Sequence, residues 1–350
     1  MTGRRVLMFV ASVALGALLI VGLIRLGRID MASTLRQVRS VTFSAFAKLI
    51  LLNIVLIFLS TEKWRSVDSA LRSSSDPAPS KWASFVLTSI GMALGFVLPV
   101  QLGMAASRTV GTYFYGRPFK RGLVGSLFEQ SFDLLIVCFL AVASLFTRLL
   151  HGEAFVWVTL AVALIVIASL ATGPATRVTR ALARFLSAKM RPNNRIGAGL
   201  NRLSELEDSG VLSARLARRL VILSALRFGV VVLIAGETAA AVGTPLRLWH
   251  IAAAVPFVVL ASALAITPGG VGVNELTYAA ALSLFGSPFS IGASWAIVNR
   301  ILGMASCYVV AGIAAITFAI GNLAGLRRPY AVAQGPRSNS HTHTESGEPR

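Results

Sequence analysis

Charge is scarce in this sequence. Only 13% of its 350 residues are Asp, Glu, Lys or Arg, about half of the ~25% found in an average soluble domain. That shortage excludes an ordinary soluble enzyme. Acids are scarcer than bases, 14 against 33, for a net charge of +19. The two cysteines, Cys138 and Cys307, both lie deep inside apolar runs. There a thiol behaves as a small hydrophobe, so neither a disulfide framework nor a cysteine-based metal site follows. Histidines are few as well. His151 is isolated at the end of an apolar run, His250 sits beside Trp249 with no catalytic partner nearby, and His341 and His343 are incidental to a polar tail. The paired-aspartate patterns of prenyl and alcohol phosphotransferases are missing, as is a His-x4-Asp acyltransferase motif. No catalytic residue, metal ligand or cofactor is expected.

What the chain has is apolar length. Hydrophobic residues make up 55% of it and the mean hydropathy is +0.73. Apolar runs occur near 6–24, 41–60, 82–98, 122–146, 155–172, 220–242, 249–266 and 292–323. A spanning helix needs about 20 such residues. The expectation is an all-α polytopic membrane protein of about eight membrane segments. The first run resembles a signal peptide, but it is long, and Arg25 and Arg28 follow it without a small-x-small cleavage site, so it reads as an uncleaved span. The bases sit between the runs, where the positive-inside rule and anionic headgroups account for them, and nucleic acid is not an expected partner.

Two of the runs are broken. Pro99-Val-Gln-Leu-Gly103 follows the third, and Pro268-Gly-Gly-Val-Gly272 follows the seventh. Proline lacks an amide donor and glycine loosens the backbone, so both places predict a helix stopped within the membrane. The breaks are related by an offset of 169. Gly116-Arg-Pro118 to Gly122 likewise matches Gly286-Ser-Pro288 to Gly292 at an offset of 170. This predicts two repeats, about 1–150 and 151–330, each with a broken or re-entrant hairpin, at 82–114 and 249–286. Three crossings plus a hairpin per half, with both termini cytoplasmic, put 24 bases inside. Six stay outside (Arg25, Arg28, Arg36, Arg39, Arg148, Arg247). Eight plain crossings separate the bases less well, so an inverted-topology repeat is favoured, although the four arginines after the first span fit it badly. In this arrangement Trp64 and Trp82 fall at the inner interface and Trp157 and Trp249 at the outer one. The basic segment 174–219 reads either as helices on the inner leaflet or as a solvated loop. Residues 331–350 are polar, and disorder is expected there.

Seven ionisable residues fall within or beside the spans: Lys48, Glu129, Asp133, Arg227, Glu237, Glu275 and Arg300. A mid-bilayer charge costs about 2.5–3.5 kcal/mol on insertion scales, so such residues face inward and pair. Lys48 and Glu237 lie near span ends, where long side chains snorkel, and read as structural. Glu129 and Asp133 are four apart on one helix face. They either share a proton or recruit a base, Arg227 or Arg300, and a structural ion pair between packed helices is the competing reading. Gly269, Gly270 and Gly272 allow a turn whose amides form a phosphate-binding nest ahead of Glu275, or else serve only close helix packing.

Thr267-Pro-Gly-Gly-Val-Gly-Val-Asn-Glu275, with Arg300 opening the final span, resembles the lysylphosphatidylglycerol synthase transmembrane-region family, the flippase-like domain. Leu98-Pro99 to Gly103, Gly116-x-Pro118, and Glu129 with Asp133 agree with it in the first half. The resemblance covers roughly 1–330. It implies transport of a lipid headgroup, with Glu275, Arg300, Glu129 and Asp133 as the family's site residues. The chain departs from the pattern at Met104, Gln130 and Asn274, each removing a charge from the cavity. No aminoacyl-transferase domain is expected beyond 330, hence no synthase activity. The substrate-binding set expected from residues and resemblance together is Gly269, Gly270, Gly272, Glu275, Arg300, Glu129, Asp133 and Arg227. The expected partners are membrane lipids, with a phospholipid or polyprenyl-linked headgroup as substrate at the inner membrane; an oligomer is compatible with the sequence. An accessory subunit of envelope synthesis, a lipid-modifying enzyme and a small-solute carrier are the rival readings.

Overall fold

The computed structural model describes residues 3–72, 79–98, 100–114, 119–189, 213–264 and 267–323. Eleven α-helices and one 3-10 turn make up this part, with no strand among the described residues. They are α1 (Gly3–Leu26), α2 (Met31–Arg39), α3 (Phe43–Leu71), α4 (Lys81–Leu94), α5 (Val100–Phe114), α6 (Phe119–Leu149), α7 (Ala154–Lys189), α8 (Ala214–Ala241), α9 (Leu248–Leu264), the turn Pro268–Gly270, α10 (Val273–Leu284) and α11 (Phe289–Leu323). Helices α3, α6, α7, α8 and α11 are long and apolar enough to cross a membrane, and α1 with α2 makes a sixth candidate. Adding the two hairpins, α4–α5 and α9–α10, accounts for the expected eight segments. Each hairpin arm is about 18–26 Å long at 1.5 Å per residue, too short for a ~30 Å hydrocarbon layer.

The packing is that of a protein solvated by lipid. Large apolar side chains point outward, Phe43, Phe155 and Leu170 among them, while Asn53, Ser60, Lys63, Arg108, Glu129 and Glu275 are buried. Lipid tails reward no further apolar burial, so polar contacts and small residues join the helices. Asn53 on α3 donates from Nδ2 to Ser306 Oγ on α11 at 2.9 Å. Helices α4 and α5 approach so closely that a Cβ on Gly103 would lie 2.7 Å from the Gly95 nitrogen.

Helices α3 and α8 pack antiparallel. Lys48 meets Glu237 at 3.7 Å at one end, and Glu62 meets Arg219 at 3.4 Å at the other. Around this pair the contacts exchange between halves: α4 packs on α11, and α9 on α6; α3 touches α11, and α8 touches α6. The inverted relation expected from the sequence is therefore visible in the packing of α3–α6 against α8–α11.

Several expectations change. The apolar run ending at Ser60 continues as helix to Leu71, so Lys63 and Trp64 belong to the bundle. Trp64 is buried. Trp157 is also buried, donating its indole N–H to Ser144 Oγ at 2.9 Å. Two of the four ill-fitting arginines have a local explanation: α2 turns by 100° from α1, carrying Arg36 and Arg39 on a separate exposed helix. Of the basic segment, α7 extends unbroken to Lys189, while 190–212 lies outside the described residues, as does the tail 331–350.

Candidate substrate-binding site

The second break is built by conformations that only glycine adopts readily. After Pro268, Gly269 (φ 57°) and Gly272 (φ 80°) are in left-handed backbone. Both are also pressed by neighbours. A Cβ on Gly269 would lie 2.1 Å from the Phe96 carbonyl oxygen, and one on Gly272 2.5 Å from Leu19 Cβ. Phe96 belongs to the first break, so the tips of the two hairpins touch.

Arg300 reaches this turn from α11. Its Nη2 donates to the Gly269 carbonyl at 3.0 Å and its Nη1 to Glu275 Oε1 at 3.0 Å. The other carboxylate oxygen of Glu275 accepts the Gly272 N–H at 2.7 Å. Glu275 thus caps the start of α10, where an acid also meets the favourable end of the helix dipole. This alters the nest reading: the amide at the N-cap of α10 is held by the protein's own carboxylate. Asn274, standing where the family often has a base, accepts from Ser262 Oγ at 2.6 Å and ties the two arms of the hairpin together.

A cavity of about 220 Å³ opens between the hairpin tips and helices α3, α8 and α11. Asn53, Phe96, Arg227, Asn274, Glu275 and Arg300 face it. Asn53, Arg227 and Arg300 lie roughly 15, 20 and 17 Å from the starts of their helices at 1.5 Å per residue, well inside each helix and away from its ends.

Arg227 leads from the cavity to a second polar cluster. Its Nη1 pairs with Asp133 Oδ2 at 2.8 Å, and its Nε donates to Ser60 Oγ at 3.0 Å. Lys63 bridges the two acids of α6, bonding Asp133 and lying 3.8 Å from Glu129. Arg108, from α5, pairs with Glu129, donates to the Ser60 carbonyl at 3.0 Å and lies over the Trp64 ring, 5.3 Å from its centroid. Three cations thus face two carboxylates. Glu129, Lys63 and Arg108 are almost wholly excluded from solvent, so the surplus charge is not screened by bulk water.

Of the expected residues, Gly269, Glu275, Arg300 and Arg227 are brought to one cavity, with Gly270 and Gly272 in the turn beside it. Glu129 and Asp133 stand behind Arg227. Arg227 serves Asp133 as a partner, but Arg300 pairs with Glu275 and leaves the first-half acids to Lys63 and Arg108. Those two bases were missed, being counted among the inner-side bases. The repeat held a signal for Arg108: shifted by 170, Arg300 falls on Gln130, next to Glu129, and Glu275 falls on Ala105, one turn before Arg108. In both halves an arginine and a glutamate join the second hairpin arm to the following helix, with the two charges exchanged.

Comparison with protein families gives a match to one described as the lysylphosphatidylglycerol synthase TM region, over residues 9–311. Curated proteins and solved structures yield no match.

Proposed function

Since the chain belongs to the lysylphosphatidylglycerol synthase TM region family, a multi-pass membrane domain of flippase-like type, we propose that it moves the headgroup of an anionic lipid across the inner membrane and is not itself an enzyme. One observation carries this reading: a cavity inside the helix bundle, between two touching hairpin tips, lined by Arg300 and by an arginine from a cluster with one unbalanced positive charge among the described residues. A phosphodiester brings one negative charge and hydrogen-bond acceptors. It balances the cluster and replaces the water it leaves behind, which is the main barrier to crossing hydrocarbon. The acyl or prenyl tails remain in the bilayer while the headgroup uses the slot. Glu275 and Gly269 already engage Arg300, so arrival of a phosphate trades those contacts for contacts to the ligand. The distribution of bases supports a cytoplasmic side for both termini.

Reconstitution with headgroup-labelled phosphatidylglycerol tests the proposal. Arg300→Ala and Glu275→Gln each slow transbilayer movement at least tenfold. Movement at the wild-type rate in both variants overturns the assignment.

A further inference from the structure

At the end of the bundle where α3 stops and α4 and α8 begin, a second pocket of about 280 Å³ lies outside the site described above. Arg65, Arg72, Lys81 and Arg219 line it, against Glu62 and Asp68. Glu62 is shared, accepting from Arg65 at 3.1 Å and from Arg219 at 3.4 Å, and Asp68 is also engaged. Arg72 and Lys81 have no ion-pair partner among the described residues, and the pocket carries a surplus of two positive charges. The hydroxyl of Ser84, also in its wall, is buried with no hydrogen-bond partner among the described residues.

Trp64 separates this pocket from the buried cluster. It lines the pocket, is only 2% exposed, and has the Arg108 guanidinium over its ring. Lys63, the next residue, holds both acids of the cluster. The surroundings are those of a lipid headgroup layer. At the same end of the first hairpin, α5 finishes at Tyr113 and Phe114 and α6 begins at Phe119, all three exposed. Exposed aromatics beside a basic pocket mark the depth at which headgroups lie.

We infer that this pocket is an anion-loading site, binding the phosphate group of a lipid headgroup one side chain away from the translocation cluster. This deepens the translocator reading and rests on it for the fate of the bound group. The pocket binds the phosphate through Arg72 and Lys81, whose charges are not already spent on carboxylates, and Arg65 and Arg219 add field. Trp64 closes its inner wall.

The test uses the full chain in phosphatidylcholine nanodiscs, titrated with fluorescent short-chain phosphatidylglycerol, and in a parallel arm with inorganic phosphate as competitor. Each cation near an anionic headgroup contributes roughly a fivefold gain in binding. The double variant R72Q/K81Q therefore binds phosphatidylglycerol roughly thirtyfold more weakly, whereas R72K/K81R retains binding. R28Q, at the opposite end of the bundle, leaves binding unchanged. Competition by phosphate only at far higher concentration assigns the site to the headgroup; equal competition assigns it to free phosphate, with the same residues. Equal affinity in wild type and R72Q/K81Q overturns the inference, as does an equal loss in R28Q. If Arg300→Ala and Glu275→Gln both move lipid at the wild-type rate while R72Q/K81Q still loses binding, the translocator reading fails and the loading site stands.

Discussion

Glu129→Gln strips one carboxylate from a cluster that already has a surplus of positive charge. Arg108 is then left with the Ser60 carbonyl and the Trp64 ring, and Lys63 with Asp133 alone, so three cations face one acid. Arg108 and Lys63 are fully buried, and breaking such a pair costs about 3–5 kcal/mol, because the remaining ion keeps its desolvation penalty. Arg108→Met acts differently. Glu129 keeps Lys63 at 3.8 Å, the cluster becomes neutral, and the cost falls to about 2 kcal/mol. The double variant returns the cluster to the wild-type surplus and leaves the Lys63–Asp133–Arg227 chain intact. It is expected to lie within about 2 kcal/mol of wild type, well short of the sum of the single losses. Unfolding in mixed micelles, followed by helical circular dichroism, measures all three. A double variant that costs the sum of the singles refutes the charge accounting, as does Glu129→Gln within 1 kcal/mol of wild type.

Gly269→Ala forces a side chain into left-handed backbone, at about 1–2 kcal/mol, and drives its Cβ against the Phe96 carbonyl. The hairpin tips separate, transbilayer lipid movement falls by at least tenfold, and a cysteine pair placed at the tips crosslinks less readily. The Lys48–Glu237 pair is exposed, 65% and 39% at the side chains, with its charges 3.7 Å apart. Lys48→Ala therefore changes stability by no more than about 0.5 kcal/mol, measured by the same unfolding assay.

Hydropathy alone located the membrane segments and both breaks, because lipid-facing runs and helix-stopping prolines are local properties. Arg300 and Glu275 were legible as candidates for a similar reason, since both interrupt otherwise apolar sequence, but their mutual pairing was not: the sequence offers Arg300 as a partner for Glu129 and Asp133. Lys63 and Arg108 were not. They follow the apolar residues of their segments, where a base ordinarily marks the membrane surface. Whether such a base faces lipid, water or the bundle interior is decided by partners 70 and 21 residues away. Trp64 lies two turns before the end of α3 and is packed inside the bundle under the Arg108 guanidinium, a contact that hydropathy does not reveal. Of the turn's two readings, phosphate nest and close-packing turn, neither anticipated that the acid three residues after Gly272 takes the amide there for itself.

The five-residue cluster is costly as a stabilising device. Apolar residues of similar volume hold buried helices together as well as or better than ion pairs, and Leu and Phe are abundant in this chain. The second half achieves its hairpin contact with one arginine and one glutamate, which balance. The first half uses the same contact with charges exchanged, Arg108 to Glu129, then adds Lys63 and Asp133, draws in Arg227 from α8 and ends with a cation in excess among the described residues. Holding a hairpin to its neighbouring helix does not require those three residues, since the second half manages without equivalents. Their common feature is position: they form a continuous path from the Trp64 wall to the cavity beneath the hairpin tips. A static scaffold has no use for an unbalanced charge there, whereas a path that receives a phosphate and passes it on does.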